Sequence, residues 1–161
     1  MGIEAFVGSY RWLSNFWLVD IEYEGVIYPS VEHAYMAAKT RNVAERYRIA
    51  MCATPGEAKR MGGKVTLREG WDGMRLIVME HLLRKKFSHP ELRAKLIATD
   101  PYQLTEGNHW GDKFWGVCRG EGENHLGRLL MKIRGEIIER EKGDRSREQP
   151  PSFQRPLQDA R

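Results

Sequence analysis

The sequence predicts a helix-rich α+β fold, a single domain in which short N-terminal antiparallel strands pack on a helical core. Three observations carry this. The first 28 residues hold short apolar runs broken by turn residues. From Ser30 onward, apolar residues recur at helical spacing between recognisable caps. Near the end, Leu126, Leu129, Leu130, Ile133 and Ile137 form one amphipathic stripe. With 161 residues, 41% of them hydrophobic, the chain is long enough to bury one core.

Taken in order, Ile3 to Val7 reads as a strand. The aromatic-dense stretch Tyr10 to Trp17 follows, with Ser14 and Asn15 set among its rings. Such density suits either core packing or, because polar groups are interleaved, a pocket that stacks a planar ring. Ile21 to Tyr28 reads as a hairpin turning at Glu24-Gly25. Pro29 cannot continue a strand ladder and Ser30 is a preferred N-cap, so a helix is expected from Ser30 to Thr40, with Val31, Ala34, Tyr35 and Ala38 on its buried stripe. Further helices are expected over Ala44 to Cys52 and Thr54 to Met61. In the second, Thr54 caps, Pro55 takes the first position and Gly62-Gly63 ends the helix. Trp71 to Phe87 carries two apolar rows and reads as a broadly buried, central helix. Pro90 to Ala98 is the next helix, and Tyr102 to Leu104 a short strand. The Gly-rich stretch Gly116 to Gly122 leads into the last helix. Residues 1–140 form the expected domain. Residues 141–161, with three prolines and almost nothing apolar, are expected to be a disordered tail.

Composition narrows the function classes. No apolar run approaches the roughly 20 residues of a membrane helix, so no membrane partner is expected. The N-terminus has no signal-peptide pattern, and Phe6 stands where myristoylation needs Ser or Thr. Cys52 and Cys118 form no spaced motif, and the five histidines form no ligand pair. Neither a metal nor another cofactor is expected, and a reducing, cytoplasmic setting fits two idle thiols. The net charge of +4 favours anions weakly. Lys59-Arg60, Arg84-Lys85-Lys86, and Arg93 with Lys95 are its small basic groups, which suit solvated helix faces or a phosphate.

Three clusters hold the candidate chemistry. Glu32 and His33 occupy the first turn after Ser30. Glu32 either complements the helix dipole or offers a carboxylate from a rigid element at a pocket edge. His33 either tunes Glu32 or contributes to the cap. The stretch Glu106 to Gly116 combines Trp110, Asp112 and Trp115 with three glycines; it is either a turn packed by aromatics or a loop that lets a ligand approach. Arg119 to Gly127 brings a glycine-rich loop to a helix start where Asn124 is a natural N-cap, a weak phosphate-site signal. Gly127 has no explanation in propensity and suits close approach of a neighbour. Carboxylates, stacking rings and anion-friendly loops together suit cleavage of a sugar–nitrogen bond, which passes through an oxocarbenium-like state and needs acid–base help.

An ordered set of motifs then carries a resemblance. It comprises Ser14-Asn15-Phe16, Pro29-Ser30-Val31-Glu32-His33, Glu57-Ala58-Lys59-Arg60-Met61-Gly62, Trp71, Lys86-Phe87, Asp112-Lys113-Phe114-Trp115-Gly116, Asn124-His125-Leu126-Gly127 and Leu129-Leu130-Met131-Lys132-Ile133-Arg134. Over about residues 4 to 138 the chain resembles the NADAR (YbiA-like) family. The resemblance implies an N-glycosidase without metal. Its substrate would be a phosphorylated N-riboside: a ribosylaminopyrimidine phosphate of early riboflavin synthesis, or ADP-ribose attached to a base such as guanine in DNA. It also implies roles. Glu32 is the main acid/base and Asp112 the second carboxylate. Asn15, Phe16, His33, Lys59, Arg60, Trp71, Trp115, Gly116 and Asn124 bind substrate, with Trp71 stacking on base or sugar. One departure is Val117 after Trp115-Gly116, where the family form often continues with an acid. It leaves subfamily and substrate open. Two alternatives stand beside this reading: a non-catalytic ADP-ribose or nucleotide-binding module, and a small nucleic-acid-binding protein supported by charge alone. DNA bearing the modification is the one macromolecular partner the resemblance suggests, and no protein partner is expected.

Overall fold

A computed structural model gives the structure of the chain and describes residues 1–148. β1 (Gly2–Ile3) is followed by a 3-10 helix (Gly8–Leu13), the hairpin strands β2 (Ile21–Tyr23) and β3 (Val26–Tyr28), and α1 (Val31–Ala38), α2 (Val43–Ala50), α3 (Pro55–Gly62), α4 (Trp71–Lys86) and α5 (Pro90–Ala98). Three two-residue strands, β4 (Gln103–Leu104), β5 (Gly107–Asn108) and β6 (Val117–Cys118), precede α6 (His125–Glu148). The helix-rich α+β expectation holds.

The hairpin follows from its turn. Glu24 and Gly25 both take positive φ, 46° and 83°, the backbone of a two-residue turn whose twist matches the strands. It sets Ile21 opposite Tyr28 and buries both side chains. β1 ends at Ile3, short of the expected Val7. It pairs in parallel with β4, and the next carbonyl, of Glu4, instead accepts the Gly107 N–H at 3.1 Å. β5 and β6 also pair in parallel, Gly107 beside Val117, a sheet that no sequence pattern announced.

α1 is the hub. It packs against α2, α3, α4 and the hairpin, and all eight of its residues are buried. The sequence pattern had pointed to α4 as the central helix. Val78, Met79, Leu82, Leu83 and Phe87 of that region are buried, but Leu76 and Ile77 face solvent. The physical reason is position: α1 meets three helices and both hairpin strands, whereas α4 packs on α1, α6 and β2.

α6 runs past the expected boundary at residue 140 to Glu148. Its charged residues are good helix formers, and ion pairs support it: Arg93–Glu141 at 3.2 Å from α5 and Arg84–Glu136 at 2.7 Å from α4. The remainder of the expected tail, 149–161, lies outside the described residues. Near the start of α6, Gly127 is explained by backbone approach, since a Cβ there would strike the Leu104 carbonyl oxygen of β4. Among the described residues no helix is long and apolar enough to cross a membrane.

Candidate active site

The N-terminus of α1 positions the first carboxylate. Ser30 caps the helix by accepting the His33 N–H at 3.1 Å. The His33 ring is turned away, with Nδ1 2.7 Å from Ser30 Oγ and Nε2 3.0 Å from the Cys52 carbonyl oxygen. A carbonyl can only accept, so Nε2 carries the proton and Nδ1 accepts from the Ser30 hydroxyl. Burial lowers the proton affinity of this ring, in keeping with the neutral form. Glu32 points the other way, into a cavity, while its N–H donates to the Asn15 carbonyl at 3.1 Å and so fastens the Ser14–Phe16 segment to the helix. Glu32 is 7% exposed. Burial pushes its carboxyl up to about 7, with Asp112 adding to the rise and Lys59 and Lys39 opposing it.

The cavity has a volume of about 430 Å³. Three carboxylates line it: Glu32 from α1, Asp112 from the loop between β5 and β6, and Glu106 from the link between β4 and β5. Phe16, Tyr35, Trp110 and Trp115 supply aromatic surface, Asn15 a polar group, and Lys59 and Arg60 of α3 an exposed cationic rim. Lys59 Nζ lies 5.7 Å from the Trp110 ring centroid. Asn15 Oδ1 is buried here without a hydrogen-bond partner.

Asp112 is held by its own loop. Its Oδ1 accepts the N–H groups of Phe114 and Trp115 at 3.2 and 2.9 Å. Asn108 grips the same residue from both sides, accepting the Asp112 N–H at 3.0 Å and donating to its carbonyl at 2.8 Å. The glycine- and Trp-rich cluster is therefore an ordered turn that delivers a carboxylate to the cavity.

Of the expected site residues, Glu32, Asp112, Asn15, Phe16, Lys59, Arg60 and Trp115 meet at this cavity, whereas His33, Trp71, Gly116 and Asn124 are not on its wall. His33 is spent on the cap and on Cys52. Trp71 is buried behind Tyr35, its ring centroid 5.3 Å away, and Tyr35 in turn meets Trp115 edge-on at 5.5 Å. Gly116 and Asn124 hold Glu106. A Cβ at Gly116 would strike the Glu106 carbonyl oxygen, and Asn124 accepts the Glu106 N–H at 3.0 Å while donating to the Leu104 carbonyl at 3.0 Å.

Glu106 and Tyr35 are two of the wall residues that sequence reasoning did not assign to the site; Ser14, Met36, Gly56, Met79, Trp110 and Leu126 are the others. Tyr35 fits the core stripe of α1, and no periodicity singles out an acid in a loop. Burial first, then Asp112, raise the Glu106 carboxyl to about 7. A second, wider chamber of about 750 Å³ adjoins the first and shares Ser14, Phe16, Glu106 and Trp110 with it. Among the described residues, no group of three His, Cys, Asp or Glu side chains is arranged to hold a metal ion.

Comparison with known proteins gives a consistent result. The NADAR domain model matches residues 5–138. The N-glycosidase YbiA of Escherichia coli is 38% identical over 133 residues, covering 80% of this chain and 82% of that protein. An N-glycosidase of Nostoc punctiforme is 36% identical over 135 residues, 80% of this chain and 86% of the relative. A riboflavin biosynthesis protein of Vibrio vulnificus is 33% identical over 135 residues, but these span 36% of its length. The NMR structure of E. coli YbiA superposes with a TM-score of 0.76 at 32% identity, covering 96% of this chain and 90% of that one.

Proposed function

The chain belongs to the NADAR family, and on that premise we propose that its carboxylate-lined cavity hydrolyses the N-glycosidic bond of a phosphorylated N-riboside. The observation that carries this reading is the meeting of Glu32 and Asp112 in one aromatic cavity with Lys59 and Arg60 at its rim. The N-glycosidase and riboflavin-biosynthesis names of the relatives support the reaction class. The substrate would be a ribosylaminopyrimidine phosphate or ADP-ribose attached to a base such as guanine in DNA.

As the bond between C1′ and nitrogen breaks, its electron pair leaves with the base and positive charge grows on the sugar ring. A carboxylate facing that ring stabilises the charge, the task assigned to Asp112. A Glu32 carboxyl near 7 is split between its acid and ionised forms at neutral pH, so it can exchange protons with the reacting atoms in either direction. Water then adds to C1′ and its surplus proton is removed. Phe16, Trp110 and Trp115 offer faces for the base, and the α3 cations attract the phosphate.

The test is a product assay by mass spectrometry, run with and without chelator. The purified chain meets a ribosylaminopyrimidine 5-phosphate, NAD and DNA bearing ADP-ribosyl-guanine. Release of a free base from one of them, unaffected by chelator and lost in Glu32→Gln, is the expected result. Tight binding of ADP-ribose with no product after long incubation would replace the enzyme with a binding module.

A further inference from the structure

The geometry points to Glu106 as a third catalytic carboxylate, the acid that hands the departing nitrogen its proton. It rests on the N-glycosidase reading above and divides the labour within it. Among the four residues common to both chambers, Glu106 is the one acid, while Glu32 and Asp112 line the inner chamber alone. A base whose sugar sits against Glu32 and Asp112 and whose ring extends toward the outer chamber therefore passes Glu106.

The carboxyl group is free to act. Glu106 Oε2 is buried and has no hydrogen-bond partner within the described residues. Its backbone, by contrast, is fixed on both sides. The N–H donates to Asn124, and the carbonyl accepts the Val117 N–H at 2.9 Å, packed against side-chain-free Gly116. An unpartnered oxygen on a rigid mount, in a residue that lines both chambers, is left without the partner a buried polar atom ordinarily has, and a ligand could supply it.

Charged groups face it from several elements. Asp112 across the cavity and Glu32 on α1 favour its protonated form, and Lys59 on α3 and Lys86 on α4 oppose them. Lys86 is fully buried, and its Nζ donates to the Ser14 carbonyl at 2.7 Å. Burial pulls its ammonium down to about 7, with Glu106 holding it up. Lys86 is a positioning residue. It acts on the reaction through Glu106, by limiting how far burial raises that carboxyl, and through Ser14, whose loop forms part of both chambers.

The cycle balances. Protonated Glu106 gives its proton to the leaving nitrogen as the C1′–N bond breaks and the pair of electrons departs with the base. Water bonds to C1′ and gives a proton to the Glu32 carboxylate. Transfer of that proton back to Glu106 through solvent restores the starting state.

The experiment is a set of kcat and kcat/KM profiles from pH 5 to 9 on whichever N-riboside the wild type turns over, with thermal melting of every variant. Glu106→Gln is expected to lower kcat by roughly 100-fold or more, with KM little changed, and to abolish the alkaline limb. Glu106→Asp is expected to keep that limb at reduced kcat, and formate to restore part of the activity of Glu106→Ala. Lys86→Met is expected to move the alkaline limb to higher pH, because Glu106 loses its nearby positive charge. A Glu106→Gln enzyme with kcat within threefold of wild type, a loss confined to KM, or an unchanged alkaline limb overturns the assignment. If Glu32→Gln is inactive while Glu106→Gln is not, the assignment alone fails. If the wild type cleaves no N-riboside, the enzyme reading falls and takes it along.

Discussion

Trp71 and Tyr35 stand with their ring centroids 5.3 Å apart, and of the two only Tyr35 reaches the cavity. Tyr35 then meets Trp115 edge-on, and Trp115 packs on Phe114, whose ring carries the Arg75 guanidinium. The tryptophan at the start of α4 thus supports an aromatic row that ends beside the Asp112 turn.

Trp71 and Trp115 should therefore separate in their effects. Trp71→Ala is expected to cost about 3–5 kcal/mol in a denaturant titration, as for other buried aromatic truncations. Trp71→Phe should keep KM within about threefold of wild type, whereas Trp115→Ala, which removes a stacking face, should raise KM by roughly tenfold or more. A Trp71→Phe protein of normal stability with a strongly raised KM would instead put Trp71 in contact with substrate.

Glu32 should make stability depend on pH. Its carboxyl rises from an ordinary 4.5 to about 7 on folding, so the folded chain binds the proton more tightly than the unfolded chain. That contribution is complete below pH 4.5 and is lost as pH rises through about 7. Glu106 acts in the same sense. Lys86 acts in the opposite sense above its folded value of about 7, since the cost of its buried charge fades as the amine deprotonates. Glu32→Gln should hence leave stability near wild type at pH 5 and raise it by on the order of 3 kcal/mol at pH 8. Chemical denaturation at both values measures this, and an equal shift at the two would refute it.

Lys59 and Arg60 lie exposed at the cavity rim. Replacing either with Ala should raise KM for a phosphorylated substrate by roughly tenfold, with a smaller effect at high salt. The dephosphorylated counterpart should bind both variants and the wild type alike. Equal losses with both substrates would show that the cations serve something other than the phosphate.

Two glycines of α6 should behave differently. At Gly127 a Cβ meets the Leu104 carbonyl and the Asn124 side chain, whereas at Gly135 it meets nothing within 4 Å. Gly127→Ala is expected to destabilise by about 1–3 kcal/mol and to lower kcat, because Asn124 holds Glu106. Gly135→Ala should be neutral or stabilise by up to about 1 kcal/mol. Thermal melts with parallel activity assays distinguish the pair.

The sequence by itself determined the elements whose signals are local. Ser30 and Thr54 each accept the N–H three residues on and open a helix, and Glu24-Gly25 adopts the backbone a tight hairpin demands. Such caps and turns act within a few residues, so their chemistry is written in consecutive letters. The ordered motifs also brought the family into view, and with it Glu32, Asp112, Asn15, Phe16, Lys59, Arg60 and Trp115 of the cavity wall. Tertiary structure alone decided which side chains face the cavity and which stand behind them. Glu32 and His33 are neighbours in one helical turn, yet one enters the cavity and the other turns to Cys52. Trp71 lies behind Tyr35 and off the wall, and Glu106 reaches the wall because Asn124 and Gly116, both later in the chain, fix its backbone. The two-residue pairings of β1 with β4 and β5 with β6 belong to the same class. Periodicity distinguishes inside from outside, but a cavity is bounded by elements distant in sequence, and only their packing sets which buried group meets a ligand.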